Sequence, residues 1–399
     1  MSRVATATRR LAVICAVVLT LPRSALAQAQ SEATVSDVVT FLLTNQAVAT
    51  GDFEKDRAAA VAARDSLAEA LSVALATTPM ASSSGGFAYR FNSELGTVER
   101  ISETFGPAFV ERALVPPAGR FSVAVSLRDM RFNELDGLPL GEGSGILTVA
   151  NRFRDEPAPF DQETLALNLR ASTVTVTASA GVGGRVEIGA AVPFVRLRLD
   201  GARTNVYRGQ TFIQASGDAT AAGLGDIAIR AKFQPIAIAA GGVSVGADLR
   251  LPTGREEDFL GSGEYTLRLL LIGSAESGPF AVHANGSLTR GGAAEGFGGA
   301  TAVSVAVNSR VTVSGEMLID RLNALHQIGT ALSVHPTIAG VETTRLTSEA
   351  GAGTRVLAVA GVRWNFSGPW LLGGQVLWPM TERGLSARPS PILAIERAW

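Results

Sequence analysis

The feature that most constrains this chain is a two-residue hydrophobic period held over long segments. Ile227, Ile229, Ala231 and Phe233 alternate with Asp226, Ala228, Arg230 and Lys232. Val243, Val245, Ala247, Leu249 and Leu251 alternate with Ser244, Gly246, Asp248 and Arg250. Similar runs recur around Phe280, Val303, Val313 and Val362. Period two is the signature of a strand with one apolar face. A strand crossing a bilayer at a tilt needs about 9 to 11 residues, whereas a globular strand averages about 5 or 6. The runs here extend to about 9 to 14 residues by the strand lengths a bilayer demands, which favours a membrane barrel over a sandwich.

Strands are expected near 119–132, 162–179, 184–199, 222–234, 240–252, 263–274, 279–290, 298–308, 310–319, 354–365, 370–380 and 389–399. Links alternate in length. Short ones lie at 180–183, 235–239, 275–278, 309 and 366–369, and longer ones at 133–161, 200–221, 253–262, 291–297, 320–353 and 381–388. An even strand count with short turns at one end and long loops at the other is the pattern of bacterial outer-membrane barrels, and it puts both chain ends in the periplasm. The expected fold is all-β: a transmembrane antiparallel up-and-down β-barrel of twelve strands over 119–399, after an N-terminal helical segment. A hairpin over 87–92 and 97–102 makes fourteen the alternative count. Val186, Ile188, Ala190 and Val192 share one face, but Val195, Leu197 and Leu199 share the other. Pro193 stands between them and cannot donate to a ladder, so a bulge is expected there.

Charged residues in the polar register decide what the interior is like. A charge facing lipid at the midplane costs about 2 to 4 kcal/mol. Arg230, Lys232, Asp248, Arg250, Arg268, His283, Glu316 and Arg363 are therefore expected to line the lumen. They could border a wet pore or pair across strands to fill a narrow barrel. Twelve strands fall between the side-chain-filled eight-stranded barrels and the open porins.

The first 27 residues read as a signal peptide: Arg3, Arg9 and Arg10, then apolar Leu11–Leu21, then Ala25-Leu26-Ala27 as the cleavage site. Cys15, the one Cys, lies in the apolar run. The mature chain would then lack Cys, which excludes disulfides. Removal takes four Arg and leaves 31 basic against 36 acidic residues, a formal −5. Only Lys55 and Lys232 are lysines, so 33 of the 35 bases are Arg. This balance offers no basic footprint for nucleic acid. Residues 28–85 read as helical, with Val61, Leu67, Leu71 and Leu75 near one face, a break at Thr50-Gly51-Asp52, a stop at Pro79 and a hinge at Ser82–Gly86. The helices could plug the lumen from below, lie on the inner leaflet surface or bind a periplasmic partner. Few bases and Ala-rich faces argue against leaflet binding. Residues 86–118 read as a hairpin and linker.

Gly242-Val243-Ser244-Val245-Gly246 matches the serine-hydrolase G-x-S-x-G pattern. That motif needs a strained strand-to-helix turn, and these residues sit inside an alternating strand, so Ser244 reads as structural and no enzyme is expected. His326 and His335 fall in one long loop without carboxylates at ligand spacing, so no metal is expected. Arg255-Glu256-Glu257-Asp258 reads as a solvated loop tip. No cofactor is implied.

Gly223-Leu224-Gly225-Asp226-Ile227, Leu251-Pro252-Thr253-Gly254, Gly261-Ser262-Gly263 and the upstream Arg185-Val186-Glu187-Ile188-Gly189 resemble an outer-membrane transporter family associated with the meta-cleavage pathway of phenol degradation. The resemblance covers about 184–290 and, loosely, the C-terminal strands. It implies a barrel that passes small hydrophobic or aromatic solutes, with no catalytic residues. The alternative is a non-conducting barrel that anchors its loops or helices. Expected partners are outer-membrane lipids and lipopolysaccharide, the solute, and the barrel assembly machinery. The last of these would read the terminal strand ending at Trp399, where Arg397 departs from the apolar face.

Overall fold

The computed structural model describes residues 33–44, 51–77, 89–92, 97–100, 102–141, 145–238 and 241–399. The signal-peptide and Cys15 readings, Pro79 and the hinge at Ser82–Gly86 lie outside these. The chain closes into a twelve-stranded antiparallel barrel. Its strands are β1 (Phe121–Leu135), β2 (Asp161–Val182), β3 (Val186–Tyr207), β4 (Ala228–Ile238), β5 (Gly241–Arg250), β6 (Thr266–Ser277), β7 (Phe280–Arg290), β8 (Gly296–Asn308), β9 (Val311–Val334), β10 (Val341–Ser367), β11 (Trp370–Pro379) and β12 (Ser390–Ala398). Each strand pairs with the next, and β12 returns to β1 with Ile395 opposite Val125. Closure removes the exposed edges that lipid cannot satisfy.

Lipid-facing residues form a belt: Ile188, Ile229, Leu271, Val282, Val303 and Leu393 are 47–59% exposed. Tight turns of a few residues connect strands at the end that also holds both termini of the barrel domain. There Phe121 stacks on Trp399 with centroids 4.6 Å apart, and the Arg397 guanidinium lies 4.6 Å from the Trp399 ring and 5.1 Å from that of Trp370. The departure at Arg397 is thus a cation held between two rings.

Several expectations are corrected. Tyr89–Asn92 and Thr97–Arg100 form a separate two-stranded ladder, so they add nothing to the barrel count. The expected loops 200–221 and 320–353 are largely strand. β3 continues to Tyr207 against Gln210–Leu224, and β9 and β10 run to 24 and 27 residues. These parts stand beyond the membrane and lose the apolar alternation that marks a lipid-facing strand. Around Ile146–Phe153, one such extension bridges from β2 to the top of β10.

The switch of apolar face in β3 is real, but its cause is not a bulge at Pro193. β2 and β3 pair without a register shift from Asp161↔Tyr207 to Val182↔Val186. Odd-numbered residues of β3 point inward throughout. Below Pro193 the apolar residues face lipid; above it Val195, Leu197 and Leu199 face the inside and are buried, while Arg196 and Arg198 face out. The same inversion occurs in β2, where Leu165, Leu167 and Leu169 are buried above and Val174 is exposed below, and in β1. The irregularity sits in the neighbouring strand. Gln210–Leu224 pairs with upper β3, β4 pairs with lower β3, and Gly225–Ile227 interrupts the two. That three-residue break changes which parity faces inward, from Ala219 and Ala221 above to Ala228 and Arg230 below.

Leu271 lies in the middle of the belt, so Leu271→Arg should cost about 2 to 4 kcal/mol, read by urea unfolding of the chain refolded into bilayers. Gln214→Arg, on the extension beyond the membrane, should stay within about 0.5 kcal/mol of the parent.

Candidate functional site: the filled lumen

Two pieces of the N-terminal region occupy the barrel interior. Against the expectation of a plug from below, α1 (Val35–Leu43) and α2 (Phe53–Ala76) fill the lumen from the long-loop end, where Ser66 meets Ser348 and Glu69 meets His326 on the extensions of β10 and β9. Thr34 caps α1 through the Asp37 amide, with Asp37 reaching back to the Thr34 amide and hydroxyl. Those bonds hold the Asp37 carboxyl below its ordinary range. Gly51 has φ +68°, a left-handed conformation that suits glycine, immediately before Asp52, which caps α2. Val39, Leu42, Leu67 and Leu71 are at most 1% exposed and pack against the inverted apolar faces of β1, β2 and β3. The fit is close at Gly201 of β3, where a Cβ would stand 2.9 Å from a Leu42 methyl and 2.7 Å from a Leu167 methyl.

The helix ends meet arginines from the wall. A helix C-terminus presents unsatisfied carbonyls and a partial negative charge. Arg203 of β3 donates to the carbonyls of Leu42 and Thr44, and pairs with Glu163 at 3.3 Å. Arg128 of β1 donates to the carbonyls of Ala74 and Thr77. Arg250 of β5 donates to the Ala76 carbonyl at 2.9 Å, and Arg355 of β10 to the Val73 carbonyl and the Thr77 hydroxyl. On its flank α2 is held by Ser66 on Ser348 at 2.7 Å and Glu69 on the ring of His326 at 2.9 Å. His335 instead accepts amide bonds from Thr337 and Ile338 and so shapes the β9–β10 tip.

From the short-turn end a loop, residues 102–118, rises into the lumen and returns. The sequence reads 86–118 as a hairpin and linker, but Phe105, Val110, Arg112 and Ala113 are fully buried. The wall grips its backbone. The amides of Ala108, Phe109 and Val110 all donate to the Glu316 carboxylate at 2.7–2.8 Å. Thr312 accepts from the Phe105 amide, and Arg363 donates to the Phe105 carbonyl at 3.1 Å. Lys232 donates to the carbonyls of Arg112 and Leu114, and Ser244 to that of Ala113, whose amide donates to Ser274. His283 is 0% exposed and shares a hydrogen bond with Ser274 at 2.8 Å. Ser244 therefore binds the loop from within β5, where the pairing with β4 shifts register between Val243 and Val245, and not from a strand-to-helix elbow.

Charges pair where the loop reaches highest. Glu111 bonds Arg230, which also takes Asp248 in a two-pronged contact. Lys232 pairs with Glu187 at 3.0 Å. Between the loop tip and the end of α2 remains a cavity of about 110 Å3, bordered by Phe109, Arg230, Asp248, Arg250, Arg268 and Arg355. Arg268 donates to Ser287 at 3.2 Å. All eight residues named as lumen candidates thus occupy inward registers, and seven of them contact the loop, the helices or a partner of these; His283 does so through Ser274. Sequence reasoning missed Arg128, Arg203, Arg355, Glu111 and Glu187. Arg128 and Arg203 lie at or above the level where the strand pattern inverts, Arg355 and Glu187 share the polar register of their strands, and Glu111 lies outside any periodic segment.

Three of the four segments that carried the family resemblance also meet, those at 223–227, 251–254 and 261–263. The Asp226 carboxylate accepts from the amides of Gly254 and Ser262 and the Ser262 hydroxyl, at 2.8–3.1 Å. Thr253 accepts from the Ile227 amide and donates to the Gly225 carbonyl. A Cβ on Gly261 would stand 2.7 Å from the Gly254 Cα. Together they close the wall at the break in β4.

No family model matches the chain, and no curated protein does. Among solved structures it is similar to an outer-membrane channel from Pseudomonas putida F1 (13% identity, 71% of this chain, 96% of that one, TM-score 0.45). Others are the KdgM porin (7%, 69% and 99%, 0.38) and the toluene transporter TbuX of Ralstonia pickettii (10%, 80% and 97%, 0.26). At these values nothing about solute or mechanism follows from the likeness.

Glu316→Ala leaves three buried amides without an acceptor. Each such loss costs about 1 to 3 kcal/mol, so amide exchange at Ala108–Val110 should accelerate on the order of a hundredfold. Hydrogen exchange read by mass spectrometry should show this while β6–β8 stay protected.

Proposed function

We propose that the protein is an outer-membrane channel for small hydrophobic or aromatic solutes, and that the arrangement described is its closed state. The observation that carries the reading is the chemistry of the lower wall. Glu316, Lys232, Ser244 and Arg363 hold a loop that fills the lumen, yet they hold it by its backbone. A barrel serving only as an anchor is filled as well or better by apolar side chains, because buried ion pairs lose in desolvation much of what they gain in attraction. Wall groups of this kind are instead suited to two partners in turn: the loop when it is in, water when it is out. The loop enters and leaves through the same end, so it can withdraw without crossing the helices.

The outer-membrane setting is supported by the closed antiparallel ring, its apolar belt and the sorting of short and long links. The solute class rests on the resemblance in 184–290. A second reading, a non-conducting anchor, is favoured by how full the lumen is.

Planar-bilayer recording separates the two. The refolded parent should be mostly silent, and Glu316→Ala with Ser244→Ala should show frequent conductance steps, since the pair removes four bonds to the loop. Silence from both, with folding shown by heat-modifiable gel mobility, would leave the anchor. Swelling of liposomes in aromatic against sugar solutes, with the variant, reads the solute class.

A further inference from the structure

The outer wall of β1–β3 carries a charge pattern that the channel does not use. The topmost lipid-facing row on this side is Leu127, Val174, Phe194 and Leu224, opposite one another on neighbouring strands and 38–48% exposed. Two rows of the same face lie directly above. The first holds Asp129, Ser172 and Arg196; the second holds Arg131, Arg170 and Arg198. Successive rows are roughly 7 Å apart and neighbouring strands about 4.8 Å apart. Arg388 adds a fifth guanidine at the β1 edge, its amide bonded to the Arg131 carbonyl at 3.1 Å.

Like charges directly opposite on adjacent strands repel. Arg131, Arg170 and Arg198 are such a triplet. The carboxylate within the two rows, Asp129, is taken up by Arg170 at 2.9 and 3.0 Å and by the Ser172 hydroxyl at 2.7 Å. Its distance to Arg131 is 4.0 Å. The acidic residues of this face, Asp200 and Asp218, sit one row higher, farther from the lipid. The positive excess is therefore concentrated at one height, immediately above the hydrocarbon, at the end with the long loops.

We propose that this face binds the phosphate groups of lipopolysaccharide. The inference rests on the outer-membrane reading, which places the long-loop end in the outer leaflet. A lipid anion anchored by acyl chains against Leu127, Val174 and Phe194 carries its phosphates at the height of the two arginine rows. Guanidinium and phosphate form paired, charge-assisted hydrogen bonds. Several arginines spread over three strands match a headgroup with two separated phosphates better than a zwitterion with one.

The test is native mass spectrometry of the refolded full chain in detergent, titrated with bisphosphorylated lipid A, monophosphorylated lipid A and phosphatidylethanolamine. The parent should bind the bisphosphorylated form on the order of tenfold more tightly than either other lipid, the size of one charge-assisted contact. Arg131→Gln with Arg198→Gln should abolish that preference. Arg290→Gln with Arg321→Gln, at similar height on the opposite wall, should keep it. Equal binding of the three lipids by the parent would overturn the proposal, and so would an unchanged preference in the first variant. The parent titration decides the matter even if that variant folds poorly. A chain that shows no heat-modifiable mobility and enters no bilayer would instead count against the outer-membrane reading itself.

Discussion

A ring of twelve strands encloses more space than its own inward side chains can fill, and the rest of the structure follows from how that space is occupied. The chain supplies the filling itself, in two pieces of opposite chemistry. Two helices enter from the long-loop end and bury apolar faces, so the wall around them is apolar inside and charged outside. A loop enters from the other end and offers its backbone, so the wall there is polar inside and apolar outside, where lipid meets it. The inversion in β1, β2 and β3 marks the level at which one filling gives way to the other. It also marks the height at which the outer surface leaves hydrocarbon. One strand satisfies both demands without a register shift because its two faces are independent at period two.

The near absence of lysine belongs to the same logic. Most of the wall contacts to the helices ask one side chain to reach two acceptors: Arg203 takes two carbonyls of α1, Arg128 two of α2, and Arg355 a carbonyl and a hydroxyl. A planar fork with five donors does this in a fixed geometry, and an ammonium on a flexible stem does not. Lys232, by contrast, serves as a compact charge among Glu187, Glu111 and two carbonyls of the loop.

Strands that touch lipid on one face and polar groups on the other were legible in the sequence, because there burial and period coincide; β5 to β8 fall within three residues of their expected bounds, whereas the strand expected at 222–234 runs across the break at Gly225–Ile227 and β4 begins only at Ala228. The upper halves of β3, β9 and β10 were not. Outside the membrane they pair as strands while facing water on one side and helices on the other. A pattern keyed to lipid reads Arg203, Asn205 and Gln327 as loop. The inward registers of Arg230, Lys232 and Glu316 follow from alternation alone. What they hold does not, since residues 102–118 have no period and most of their bonds to the wall run through the backbone, where side-chain identity carries no signal; the Glu111 and Arg112 side chains, which pair with Arg230 and Glu276, stand outside any periodic segment.

The break at Gly225–Ile227 shows why the inversion needs a device in one strand although three manage without. In β1, β2 and β3 the apolar and polar residues exchange faces while the parity of the inward set is kept. In the fourth position the parity itself changes, from Ala219 and Ala221 to Ala228 and Arg230. A change of parity requires one strand to carry an odd excess of residues over its partner, and here Gly225–Ile227 stand opposite Val192 and Pro193 alone. The backbone groups of Gly225–Ile227 must then find partners outside the regular ladder. The Gly225 amide reaches the Pro193 carbonyl, the Ile227 amide reaches Thr253, and Asp226 turns its carboxylate onto the amides of Gly254 and Ser262. Pro193, which has no amide to offer, sits where β3 has lost its neighbour. The glycines and the aspartate of these segments are therefore requirements of a wall that must change register without opening.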